Sequence, residues 1–279
     1  MAVPEPDPAR PQLVPDERWE RNPYPREELV RAVLHGGMAG VVSHPLDNVL
    51  WKIGLLREGD HVSQFGLSNV CDLPDAEVMR LVTEASGWEP EAGSRFGPFR
   101  VHPERVLEEC QRAGHRLALA CERGERVILA TGHPTGLPLL YAAVGRELAK
   151  RGVELLTPFE GRSWQEGHRG LREIRYVDGV AMVFGRGLRL HTHSSRPMEL
   201  MLRETRPDLV FADHGFAGAA IETGIETVSI ADVNDPALLV AKAQGRTDVV
   251  IVMDDNVRPE AYWPCFQAIA ARLPEDPAR

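Results

Sequence analysis

The stretch from Pro207 to Asn256, PDLVFADHGFAGAAIETGIETVSIADVNDPALLVAKAQGRTDVVIVMDDN, decides the fold class. LVFA, VSIA and VVIVM are short apolar runs of strand length, rich in β-branched residues. Between them, GFAGAAIETG and DPALLVAKAQG read as helices, each closed by a glycine. Strands alternating with short helices imply right-handed crossovers and a parallel sheet. The runs are apolar throughout rather than alternating, as expected of strands covered on both faces.

The same texture extends toward the N-terminus. HRLALAC (115–121), RVILATG (126–132) and VELLTPF (153–159) read as strands, and TGLPLLYAAVGRELAKRG (135–152) as a helix. REIRYV and VAMVFG flank Asp178-Gly179, the signal of a type I′ hairpin, and LRLHTHS is open to extending the second strand. RPMELMLRETR and PEAYWPCFQAIAARL complete the helices of this half. Before residue 115 the pattern is helical: PREELVRAVLHGGMAGVV, SHPLDNVLWKIGLL, DLPDAEVMRLVTEASGW with Asp72 as a cap, and HPERVLEECQRAG ending at Gly114. The expected fold is α/β, a mainly parallel sheet with helices on both faces, plus a largely helical N-terminal region. The expected division is a flexible tail at 1–24, a helical cap region at 25–115, and a Rossmann-like catalytic domain at 116–279.

Composition bounds the function. The chain has 279 residues, 43% hydrophobic and 26% charged, with a net charge of −9. No basic face for nucleic acid is visible. No apolar run reaches the ~20 residues that span a bilayer, and the proline-rich N-terminus lacks a secretory core. A cytoplasmic protein with reduced Cys71, Cys110, Cys121 and Cys265 is expected, since no pair has zinc-site spacing. A homodimer is left open.

In an open parallel sheet, ligands bind beyond the carboxyl ends of the strands. Those ends carry Thr131-Gly132-His133-Pro134-Thr135-Gly136, then Asp213-His214, then Asp232-Val233-Asn234-Asp235, then Asp254-Asp255-Asn256. Each acid taken singly fits turn or cap chemistry, and Asp235 before Pro236 reads as a helix N-cap. Their coincidence at one edge points to a site. Thr131, Gly132, His133, Thr135 and Gly136 form a small-residue loop before a helix, suited to an anion. His191 and His193 share a face if their segment is extended, and so could serve a metal or a phosphate. His44, Asp47 and Asn48 make the densest polar cluster of the N-terminal half.

At ATGHPTG, LHTHS, PDLVFADHGFAGAA, IADVNDPALLVAKAQG and MDDNV the chain resembles a group of actinobacterial proteins known generically as phosphatases. The similarity covers Arg126 to about Trp263, with an echo at SHPLDN. It implies hydrolysis of a phosphoryl ester. The D-x-D-x-[TV], C-x5-R and R-H-G signatures of other phosphatase classes are absent, and the acidic strand ends suit metal-assisted attack by water instead. The expected roles are therefore Asp213, Asp232 and Asp254 as ligands of Mg²⁺ or Mn²⁺, with Thr131 to Gly136, His191 and His193 holding phosphate. Asp213 together with His214 or His133 would carry catalysis. His44, Asp47, Asn48, Asn234, Asp255 and Asn256 are further candidates. The substrate would be a small phosphorylated metabolite. A sugar-phosphate isomerase and a non-catalytic metabolite-binding protein are the rival readings.

Overall fold

The computed structural model describes residues 17–276. Most of the expected 1–24 tail therefore lies outside the described residues. From Glu17 the chain is packed: Trp19 is buried, with its ring 5.7 Å from that of Phe266.

The first half runs α1 (Arg26–His35), β1 (Gly40–Val41), α2 (Leu46–Arg57), α3 (Asp75–Ser86), β2 (Arg100–Val101) and α4 (Pro103–Arg123). β1 and β2 pair with each other, a two-residue ladder in a region expected to have no strand. Asp72 is not a cap, since α3 starts after Pro74. HRLALAC is not a strand. It forms the last turns of α4, which does not stop at Gly114. The period of 3.6 runs on through Val106, Leu107, Cys110, Ala113, Leu117 and Ala120, all buried, and this tertiary burial overrides the local strand-like look of the run. The helix ends where Gly124 takes a left-handed conformation, φ 62°.

The second half runs β3 (Arg126–Ala130), α5 (Pro138–Lys150), β4 (Glu154–Leu155), β5 (Ser163–Gln165), β6 (Leu171–Val177), β7 (Val180–Gly185) and β8 (Leu188–Leu190). It continues α6 (Arg196–Leu202), β9 (Leu209–Asp213), α7 (His214–Glu222), β10 (Glu226–Ala231), α8 (Pro236–Ala243), β11 (Val249–Val252) and α9 (Trp263–Ala270). β3 to β11 form one mixed sheet in the order β11-β10-β9-β3-β7-β6-β5, with β4 also on β3 and β8 on β7. The pairs from β11 across to β7 are parallel, as is β3–β4. The β5–β6, β6–β7 and β7–β8 pairs are antiparallel. The β6–β7 turn is the expected one, with positive φ at both Asp178 and Gly179. Every residue of β9 and β11 is buried, so both faces of the sheet are covered there.

This topology fixes where a site can form. The chain leaves β3 toward β7 on one side, whereas it leaves β9 toward β10 on the other. Connections that depart in opposite directions from neighbouring strands open a crevice between their carboxyl ends. Here those ends are Thr131-Gly132 and Asp213-His214, brought side by side by the register Ala130↔Ala212.

Candidate active site at the β3–β9 crevice

Asp213 is fully buried at the end of β9 and precedes α7 without capping it. Its carboxylate turns across to β3 instead. It accepts from Thr131 Oγ1, from Gly132 N at 2.6 Å and from Tyr141 Oη at 3.2 Å. This carboxylate is thus engaged by the protein itself. Gly132 and His133, whose N–H groups an anion cradle requires free, donate to Asp213 and to Thr131 Oγ1 (2.9 Å). Gly132 is also hemmed in: a Cβ there would lie 2.3 Å from the Thr192 carbonyl oxygen. Gly136 packs on Val257 and Tyr262, and Thr135 is exposed. The loop is therefore a buried joint between β3, β9 and the 192–194 segment rather than an open anion nest.

His214 follows with φ 44°, a costly conformation for a residue with a Cβ. Gly215 lets the His193–Ser194 backbone lie against the start of α7, where a Cβ would come within 2.4 Å. The result is a group of four histidines. The ring of His214 stacks on His193 at 4.2 Å between centroids, and His133 lies 4.4 Å from both His214 and His191. Phe65 closes one side, 5.3 Å from the rings of His193 and His214.

Two carboxylates complete the group. Asp235 Oδ2 stands 3.1 Å from His214 Nε2. Asp235 occupies the cap position of α8, as expected, but its carboxylate makes no cap bond and serves His214. Asp255 is 1% exposed, with Oδ1 3.4 Å from His133 Nε2 and Oδ2 3.8 Å from His214 Nε2.

The electrostatics follow from burial and neighbours. Burial, then repulsion from His214, pushes His133 and His193 down to about 3, and the same causes lower His191. Burial alone would lower His214 too, but Asp235 and Asp213 outweigh it and hold its pKa well above the usual value. Burial would raise Asp235, yet His214, His193 and Lys52 hold it below the carboxylate range. Burial, reinforced by Asp232, raises Asp255 well above it.

Metal-capable ligands gather differently from the expected Asp213, Asp232 and Asp254. Among the described residues, the groups whose ligand atoms lie within 4.8 Å of one another are His133, His191 and His214, and His214, Asp235 and Asp255. Asp232 instead accepts from Val233 N at 2.5 Å through Oδ1 and faces His44 Nδ1 at 2.9 Å through Oδ2. Asp254 holds Ser43 N at 2.7 Å and Asn256 N at 3.1 Å. Asn234 Nδ2 donates to Asn48 Oδ1 at 2.8 Å, while Asp47 and the Asn256 side chain face solvent. The start of α2 is thus stitched to the carboxyl ends of β10 and β11 by three contacts.

A family model described as Phosphatase matches residues 24–275. The chain belongs to the Phosphatase family. The match reaches well beyond Arg126–Trp263, so the family includes the N-terminal helices that bring His44 to the sheet edge. A curated relative, Phosphatase SCO2771 of Streptomyces coelicolor (strain ATCC BAA-471 / A3(2) / M145), is 34% identical over 245 residues, 85% of this chain and 92% of the relative. In this Phosphatase-family chain, reading the sequence missed three residues. Asp235 was hidden by its Asp-Pro cap pattern. Tyr141 looked like an ordinary core aromatic. Lys52 sits mid-helix on α2, has no hydrogen-bond or ion-pair partner among the described residues, and projects its field onto Asp235, His191 and His193. No described helix is long and apolar enough to cross a membrane.

Proposed function

We propose that the protein is a metal-assisted phosphatase, a phosphoric monoester hydrolase acting on a phosphorylated metabolite at the His133–His191–His214–Asp235–Asp255 cluster. The observation that carries this reading is the set of buried atoms left without hydrogen-bond partners there, Nδ1 of His133 and His193 and Oδ2 of Asp255, while His214 Nδ1 has only a poorly aligned contact with Asp213 Oδ1 at 3.3 Å. Buried polar atoms are almost always satisfied, and each orphan needs an explanation. His133 and His191 are held neutral, the state in which an imidazole can bind a cation, and His214 and Asp255 would give up their protons on joining them. The residues therefore fit a divalent ion, held by one or both of the groups containing His214. Mixed imidazole and carboxylate donors favour Mn²⁺, Fe²⁺ or Zn²⁺ over Mg²⁺. Such an ion would supply Lewis acidity at the phosphoryl group.

The chain's own residues supply the rest. Thr131, Gly132 and Tyr141 fix the Asp213 carboxylate, and with it the β3–β9 joint that carries His133 and His214. Phe65 excludes water from one side of the histidines. Lys52 brings the free positive charge that a phosphate dianion needs in a protein of net charge −9. His44 is the proton donor to the leaving group. Asp232 fixes its orientation through Nδ1, leaving Nε2 to act, and raises its pKa despite partial burial.

The test measures bound metal by mass spectrometry and phosphate release from a panel of esters, on wild type, His214→Ala and Asp255→Asn. The reading requires bound metal in wild type, loss of metal in the variants, and turnover abolished by chelation and restored by Mn²⁺, Fe²⁺ or Zn²⁺. Full phosphate release in excess chelator would falsify the metal role. Substrate conversion without phosphate release would favour an isomerase.

A further inference from the structure

Beside the histidine cluster an open groove of about 1080 Å³ runs outward from His191 and His193. One wall is the 61–68 segment. It is held in place because Gly66 is pressed against Ser195 and Phe65 packs on His193. The other wall is the turn between β5 and β6 together with Arg172 on β6, and Val183 and Leu190 give the groove an apolar floor. A phosphoryl group with a short alkyl chain fills a small part of this space, since pockets of about 300–1,000 Å³ hold whole drug-sized ligands.

The charge of the groove is opposite to that of the protein. It is lined by Arg169, Arg172, His61 and His168 against Glu166 as its acid. Glu166 is already matched by Arg172, at 2.9 Å from Nε. The Arg169 side chain has no hydrogen-bond or ion-pair partner among the described residues, so one full positive charge is left uncompensated in the groove. In a chain of net charge −9 the net positive charge left by Arg169 and Arg172 against Glu166 favours an anion here. A guanidinium offers a planar fork suited to a carboxylate or a phosphate.

Given a phosphatase at the histidine cluster, we propose that the groove binds the leaving-group side of a nucleotide-sized phosphomonoester that carries a second anionic group, received by Arg169. The substrate is then larger and more highly charged than a simple sugar monophosphate. The histidines hold the phosphoryl group to be removed, the apolar floor takes the body of the molecule, and the distal anion meets Arg169.

The test compares adenosine 3′,5′-bisphosphate with adenosine 5′-monophosphate, which differ in the distal anion. In the metal-replete wild type, kcat/KM for the bisphosphate is expected to exceed that for the monophosphate by about tenfold, roughly the value of one charge-assisted hydrogen bond. Arg169→Ala should remove that ratio, and Arg169→Glu should invert it. A ratio unchanged in both variants overturns the proposal. Absence of turnover with every ester would instead overturn the phosphatase reading. The groove is then judged by calorimetry, where the ratio of the two dissociation constants must shift in the same way. Equal affinities in wild type and Arg169→Glu would overturn it.

Discussion

His214 Nε2 and Asp235 Oδ2 lie 3.1 Å apart in a fully buried ion pair that ties the end of β9 to the turn after β10. Removing one member strands the other's charge in a medium that solvates it poorly, and such losses cost about 3–5 kcal/mol. Asp235→Asn and His214→Gln are each expected to destabilise the metal-free protein by about that much. The double variant should recover part of the loss, because no lone charge remains. Urea unfolding of all four proteins checks this, and strictly additive single effects would argue against a coupled pair.

Stability of the chelated, metal-free protein should fall with acid below about pH 6.5. The histidines His133 and His193 are held down to about 3 by burial and by His214, against an unfolded value near 6.5. Between those two values the unfolded chain binds more protons than the folded one, so unfolding becomes easier as pH drops through the window. His214 works the other way. Its raised pKa gives stability that is fully present below 6.5 and is lost as pH rises through its folded value. Denaturation midpoints from pH 4 to 9 should therefore pass through a maximum. His133→Gln with His193→Gln should flatten the acid limb, and an unaltered limb would count against these assignments.

A proton-donating His44 makes a prediction that depends on the leaving group. His44→Gln is expected to slow hydrolysis of an alkyl phosphate by about a hundredfold, within the usual range for general acid catalysis. The loss should be much smaller with 4-nitrophenyl phosphate, whose leaving group departs without a proton. Asp232→Asn should show the same pattern more weakly. Equal losses on both esters would give His44 a purely structural role.

Gly132→Ala should be destabilising and should impair the site. Its Cβ would fall 2.3 Å from the Thr192 carbonyl oxygen and 2.9 Å from His214 Nδ1. Backbone cannot yield as a flexible side chain can, so about 1–3 kcal/mol of overpacking cost is expected. Thr135→Ala, at an exposed position of the same loop, should be nearly silent. Thermal melts and metal content of the two variants separate this buried-joint reading from an open anion cradle, in which both changes would weaken phosphate binding without unfolding.

The sequence by itself determined the α/β class, the parallel strands β3, β9, β10 and β11 and the hairpin at Asp178-Gly179. These follow from local apolar runs, helix-length spacers and a turn dipeptide, all readable within about twenty residues. It also placed polar residues at one edge of the sheet, because strand ends are marked where an apolar run stops. Only the tertiary structure decided which of those residues meet. Asp213 and Asp235 look alike in sequence, a strand-end acid and a helix cap. One is consumed by Thr131, Gly132 and Tyr141, while the other faces His214. That outcome depends on β3 lying beside β9 although the 78 residues 131–208 separate the end of one strand, Ala130, from the start of the other, Leu209, through five other strands and two α-helices. Likewise HRLALAC has the local look of a strand, and becomes helix because α4 buries its apolar side against α9 and β11. Pairing and burial of this kind are settled by long-range packing, whose free energy exceeds the local propensities that a sequence window displays.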